Sequence, residues 1–245
     1  MGFDRRLADH WRSFWNDRFA QVPFTDEDLM QQSANTVNKI SLPLEKIRQW
    51  ARNIATVLEL STTDELVDFC CGNGLLDFEL APHVKSIIGI DFAENMITAA
   101  QRLKQRTNIR YRLGDVTAPL SLLIGAEVPN KFLMVGSLGY LQPRELDMIL
   151  ENIVRHMQGR GFRLLMAAAP NQALKASFYD TPERLARHLE NERTRPDTND
   201  GMGRWWRAEE IERISCRHGL AVQFTDVSID GSDYRMDALI RSQAE

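Results

Sequence analysis

Short apolar runs alternate with amphipathic stretches through most of this chain. The runs at 66–69, 86–90, 109–113, 132–135 and 161–167 have strand length. Between them, 75–80, 94–104 and 143–157 place apolar residues three and four apart, which predicts helices. Strands that alternate with helices imply βαβ units and a parallel sheet with right-handed crossovers. Further on, 208–218 reads as a helix stopped by Gly219. Stretches 221–227 and 234–240 then read as two last strands, joined by an Asp230-Gly231 turn.

Two regions stand outside that rhythm. At the start, Phe3, Leu7, Trp11, Phe14 and Trp15 fall at helical spacing within 3–19, and a second helix is predicted over 43–60 with Pro43 in its first turn and Ser41 near its cap. An aromatic, arginine-bearing helix suits either a membrane surface or its own domain, and packing on the domain is the expectation. The other region, 171–204, is polar and charged and carries Pro182, Pro196 and a loop-like Thr198-Asn199-Asp200-Gly201. It is too long for an ordinary connection and is expected to be a functional cap or a mobile loop. The division expected is therefore an N-terminal helical segment over 1–60 and a core over 61–245 with a cap insertion at about 171–204.

Composition narrows the function classes. The chain has 245 residues, 43% hydrophobic and 26% charged, with a net charge of -4. That is ordinary for a globular protein with a sizeable core, and it lacks the basic excess expected of a nucleic-acid binder. No apolar run approaches the roughly 20 residues of a membrane span, and the first residues lack the apolar core of a signal peptide. Cys70, Cys71 and Cys216 have no zinc-like spacing, so neither a structural metal nor a disulfide framework is expected, and the compartment expected is the reducing cytoplasm.

The chemistry concentrates at Val67-Asp68-Phe69-Cys70-Cys71-Gly72-Asn73-Gly74, between a predicted strand and a predicted helix. Glycines there let the backbone turn sharply and approach a ligand, beside the unpaired N–H groups of a helix start. Asp91 ends the next strand, where an acid binds ribose hydroxyls in nucleotide-binding folds. A dinucleotide fingerprint wants a third glycine where this chain has Asp77, and an acid beside a pyrophosphate is repulsive. S-adenosylmethionine (SAM) carries no phosphate, and its ammonium and sulfonium charges tolerate acids at Asp68 and Asp91. SAM is therefore preferred over NAD.

The segment Asp68 to Leu76 resembles motif I of class I SAM-dependent methyltransferases, in the variant found among small-molecule and saccharide enzymes. Ile90-Asp91-Phe92-Ala93-Glu94-Asn95-Met96 is similar to that family's ribose segment, and Gly114-Asp115-Val116 to the segment whose acid meets adenine. Val135 to Tyr140 lies where family members line the methyl-transfer site, and 156–161 looks like the turn before the fifth strand. The resemblance implies a Rossmann-like, doubly wound, mostly parallel seven-stranded sheet with its last strand antiparallel. It also implies SAM held by Asp68, Cys70, Cys71, Gly72, Asn73, Gly74, Asp91, Phe92, Met96, Gly114, Asp115, Val116 and Ser137. Cys70 replaces the family's usual first glycine, and both turn cysteines are expected to be packing residues rather than nucleophiles.

The acceptor is less legible. Tyr140 and His188 are the candidates beside the reacting atoms; His10, His156 and His218 qualify by type alone. No His and carboxylate cluster suggests a metal. The expected reaction is methyl transfer to oxygen on a small molecule, sugar or glycan-linked intermediate. An NAD-dependent oxidoreductase and a non-catalytic SAM-binding module are the alternatives. The acceptor pocket is expected to be roofed by the N-terminal helices together with 171–204.

Overall fold

A computed structural model describes residues 5–17, 25–37, 40–194, 202–225 and 228–242. The expectations that fall on Phe3, Phe19, Pro196, Thr198 to Gly201 and Val227 lie outside those residues. The elements in chain order begin with α1 (Arg5–Asp17), α2 (Asp26–Gln32), β1 (Thr36–Val37), β2 (Ile40–Ser41) and α3 (Leu44–Leu58). The core follows with β3 (Glu65–Phe69), α4 (Leu75–Leu80), β4 (Ser86–Asp91), α5 (Glu94–Leu103), β5 (Ile109–Leu113), α6 (Leu120–Ile124), β6 (Lys131–Val135) and α7 (Pro143–Met157). It ends with β7 (Arg163–Pro170), α8 (Lys175–Phe178), α9 (Pro182–Thr194), α10 (Ala208–Arg217), β8 (Leu220–Phe224) and β9 (Arg235–Ser242).

The seven-stranded sheet has the order β5-β4-β3-β6-β7-β9-β8. The first five strands are parallel, while β9 runs antiparallel to both β7 and β8. Strand order reverses at β3, whose neighbours β4 and β6 follow it in opposite directions across the sheet. In such folds the crevice outside the carboxyl ends of the strands, at the reversal, is where ligands sit. The fold is thus a Rossmann-like, doubly wound sheet.

Both faces are covered by helices whose apolar spacing was visible in the chain. On one face Leu146, Ile149, Leu150 and Ile153 of α7 pack with Ile211 and Ile214 of α10 against Phe132, Leu164 and Ile240 of the sheet. On the other, Ala51, Ile54 and Leu58 of α3 join Leu80, Ile97 and Ala100 over Leu66, Ile87 and Leu133. A smaller cluster of Leu29, Met30, Ile47, Leu75 and Ala99 fastens α2 to this second layer. Central strands buried on both faces read as continuous apolar runs, which is why they were found without alternation.

Several local expectations need correcting. Pro43 occupies the N-cap position of α3 and not its first turn, and Ser41 belongs to β2, where its Oγ accepts from Gln31 Nε2 at 2.7 Å. The described part of 171–204, expected as a functional cap or a mobile loop, is mostly helical: it holds a 3₁₀ turn (Gln172–Leu174), α8 and α9, fastened by Phe178, Tyr179, Trp205 and Tyr234. α2, α6 and the β1–β2 pair were not foreseen; each is seven residues or shorter, too short to show a period.

The segment Gly203-Arg204-Trp205-Trp206 locks this region to the sheet. Trp206 is fully buried and its Nε1 donates to Leu138 O at 2.9 Å. Gly203 has φ +70°, and a Cβ on it would lie 2.1 Å from Gly139 O. Two backbones cross there with no room for a side chain. Gly203→Ala combines backbone strain with that overlap and is expected to lower stability by about 2 kcal/mol or more. Urea unfolding monitored by tryptophan fluorescence checks this; a change below about 0.5 kcal/mol would mean that the crossing is loose.

Candidate functional site

The site is assembled by the turn between β3 and α4. Cys70 takes φ +59° and Gly72 φ +57°, so the chain passes through the left-handed region twice within three residues. That explains why a glycine is usual at the position of Cys70, a residue that tolerates the geometry only under strain. A Cβ on Gly72 would meet no atom within 4 Å, so its backbone faces open space. Gly74 is required for another reason: at φ +74°, a Cβ there would stand 2.3 Å from the Tyr111 hydroxyl.

Asp91, at the end of β4, holds this turn in place. Its Oδ2 accepts from Gly72 N at 2.9 Å and its Oδ1 from Ala93 N at 2.8 Å. Burial raises its pKa, and the amides of Ala93, Gly72 and Phe92 oppose that rise. Three amide donors still leave acceptor capacity on the carboxylate, which offers about four acceptor positions.

A cavity opens at this edge, with 260 Å³ available to the centres of water molecules. One water needs roughly 10–15 Å³ on that measure, so the space suits a multi-ring ligand and not an ion. Asp68, Cys70, Cys71, Gly72, Asn73, Asp91, Phe92, Met96, Asp115, Val116, Ser137 and Tyr140 all line it. Residues from β3, β4, the β5 end and the β6 end thus converge as the motif spacing implied. Asn73 contributes little beyond its backbone, because its side-chain amide donates to Leu29 O and Gln32 Oε1 and ties α2 to the turn. Asp115 is exposed and caps its own loop through Thr117 N at 2.9 Å. Burial pushes both turn thiols well up from the ordinary cysteine value, which keeps them protonated and packed.

Three expected site residues lie elsewhere. Gly74 and Gly114 do not line the cavity; Gly114 packs against Leu123, 2.7 Å from where its Cβ would be. His188 sits on α9, its ring stacked 4.0 Å from Tyr179 and its Nε2 3.0 Å from Glu192, away from the cavity. The third-glycine position also reads differently in three dimensions. Asp77 is fully buried beneath the turn and does not face the ligand space.

The roof over the cavity is only partly as expected. Trp11 and Trp15 of α1 line it, with their rings 4.5 and 5.5 Å from Tyr140, and Ser33 to Asn35, Ile47 and Trp50 extend the same wall. Among the described residues of 171–204, none lines it. The opposite wall instead comes from Ala168, Asp230 and Arg235. Asp230 and Arg235 form an ion pair at 2.9 Å. These were invisible in the sequence because only the antiparallel return of β9 along β7, with Arg235 beside Pro170, brings them to this edge. Glu145 is a further unforeseen lining residue; burial raises its pKa although Gln142 N donates to it.

Comparison with known proteins agrees with this geometry. Residues 66–161 match the family described as Methyltransferase domain. An uncharacterized methyltransferase of Schizosaccharomyces pombe is 30% identical over 116 residues, which is 45% of this chain and 42% of that protein. The chain thus spans less than half the length of this curated relative. Among solved structures, a SAM-dependent methyltransferase from Anabaena variabilis aligns over 98% of this chain and 96% of its own, with a TM-score of 0.65 and 18% identity. Magnesium protoporphyrin IX methyltransferase from Synechocystis with bound SAM aligns over 99% of both chains, with a TM-score of 0.60 and 14% identity. Residues 66–161 therefore match a methyltransferase domain, set in a fold that solved methyltransferases share from end to end.

Proposed function

We propose that this protein is a SAM-dependent methyltransferase acting on an oxygen of a small molecule, sugar or glycan-linked intermediate. The observation that carries the reading is the cavity at the sheet reversal, where the open backbone of Gly72 and the remaining acceptor capacity of Asp91 stand together. The Gly72 cradle fits a ligand backbone pressed close to the chain. Asp91 fits a ribose diol, and the buried carboxyl of Asp68 fits an ammonium group. Phe92, Met96, Val116 and Leu141 offer an apolar slot for a base, with Asp115 at its rim. SAM would supply an electrophilic methyl group.

The protein's own part is positioning. In-line displacement is favoured chiefly by alignment and exclusion of water. Beyond the Ser137 end of β6, the rings of Tyr140, Trp11 and Trp15 form an apolar wall for an acceptor, and Asp230 with Arg235 supplies a polar one. Binding sites of this kind pair an apolar enclosure with a few placed polar groups. Among the described residues no three His, Cys, Asp or Glu converge to hold a metal ion, and no helix is long and apolar enough to cross a membrane. The oxygen acceptor rests on the motif I resemblance. A non-catalytic SAM-binding module would keep the Asp91 end of the cavity and show no turnover.

Three outcomes test this reading. Calorimetry with S-adenosylhomocysteine (SAH) is expected to give micromolar affinity, about -8 kcal/mol, and Asp91→Ala to weaken it at least ~10-fold. Unchanged affinity in that variant would remove the ribose assignment. Trp15→Ala is expected to leave SAH affinity within about threefold while cutting methyl transfer from labelled SAM at least ~10-fold, since it strips the acceptor wall alone. Equal loss of both would place Trp15 in the cofactor site. Transfer is expected to persist in EDTA; its loss, restored by magnesium, would contradict the mechanism.

A further inference from the structure

Beneath the glycine turn, three buried carboxyl oxygens lie without a hydrogen-bond partner: Asp68 Oδ1, Asp77 Oδ1 and Asp77 Oδ2. Both side chains are almost completely buried, Asp77 at 0% and Asp68 at 3% exposure. They share one small space. Asp68 pairs in register with Gly89 on the adjacent strand, so a Cβ on Gly89 would project to the same face as Asp68. That Cβ would lie 2.6 Å from Asp77 Oδ2 and 2.9 Å from Cys71 Sγ. The missing side chain of Gly89 is thus what admits the Asp77 carboxyl alongside Asp68.

Ionised carboxylates only accept hydrogen bonds, and two of them side by side in a buried space repel each other. No cation among the described residues pairs with either carboxyl. Among the described residues, the charged and titratable groups that act on the pair are Asp91 from β4 and, from the turn and β5, Cys70, Cys71 and Tyr111. None is basic, and the Tyr111 hydroxyl already donates to Lys104 O at 2.9 Å. Lys104 itself directs its Nζ to Asp26 at 2.6 Å. A proton on the pair is the remaining donor that can satisfy the orphan oxygens.

We propose that Asp77 is a positioning residue that makes Asp68 half of a proton-sharing dyad, and that the dyad must hold a single proton to bind the cationic amino end of the cofactor. This rests on the SAM reading above. With one proton shared between the two carboxyls, the pair as a whole presents one negative charge at the cavity wall, where Asp68 lies. With two protons the pair is neutral and the ammonium loses its counter-charge. Burial, then the neighbouring carboxylate, holds Asp68 well above the ordinary range, and burial pushes Asp77 up to about 7. Binding of a cation near neutral pH therefore releases a proton to the solvent.

Calorimetry of SAH binding in two buffers of different ionisation enthalpy, at pH 5.5 and pH 7, tests the dyad together with melting curves of the free protein. Wild-type affinity is expected to fall roughly tenfold from pH 7 to pH 5.5, with net proton release. In Asp77→Asn the amide donates to Asp68 at every pH, so the fall is expected to stay within about threefold and the release to vanish. Without ligand, a raised folded pKa means that stability is lost as pH rises from about 4 towards about 7. The wild-type melting temperature should therefore drop by a few degrees more than that of Asp77→Asn between pH 5 and 7.5. Parallel melting curves, or equal proton release in both proteins, would overturn the dyad. Diverging melting curves with no SAH binding at any pH would leave the shared proton in place and overturn its ligand role together with the methyltransferase reading.

Discussion

The hydrogen bond from Gly72 N to Asp91 Oδ2, at 2.9 Å, joins the two strands on which the rest of the ligand edge depends. It closes the β3 turn against the end of β4 at the point where strand order reverses. The left-handed backbone at Cys70 and Gly72 is thereby held, the helix that follows is aimed, and the cavity keeps its floor. The bond joins a backbone amide to a charged acceptor in a buried place, the class of hydrogen bond worth roughly 1.5–3 kcal/mol. In the proposed function the same carboxylate that fixes the turn also accepts from the ribose.

The half of the cavity proposed for the cofactor could be assembled from the chain because it is local. Asp68 through Asn73 and Asp91 through Met96 are each contiguous, and a βαβ unit brings such segments together whatever the rest of the chain does. Strands β3, β4, β6 and β7 were equally legible, since a parallel sheet buried on both faces leaves largely apolar runs, while edge strand β5 alternates. The acceptor half was not. Asp230 and Arg235 reach the cavity only through an antiparallel strand that returns past β7, and a register of that kind has no signature in one sequence. His188 was suggested by its residue type and its place in the expected cap, and the structure occupies it with Tyr179 and Glu192.

Asp77 shows how a correct residue can carry the wrong argument. Its acidity, read along the chain, set it against a pyrophosphate. In the fold it lies below the turn, and its partner is Asp68 rather than the ligand. Gly89 and Gly74 belong to the same arrangement, one making room for the carboxyl and the other for the Tyr111 ring. Five residues that look unrelated along the chain thus form one packed unit under the turn. The glycine-rich turn is shaped from below by side-chain packing.

The central claim is that one cavity, floored by the Gly72 turn and Asp91, holds the cofactor. A crystal structure of the protein with SAH tests it most directly. The account predicts SAH along this edge, with its ribose on Asp91, its amino group beside Asp68 and its sulfur directed towards Ser137 and Tyr140. Density for SAH at another surface, or in this cavity with the ribose away from Asp91, would contradict it.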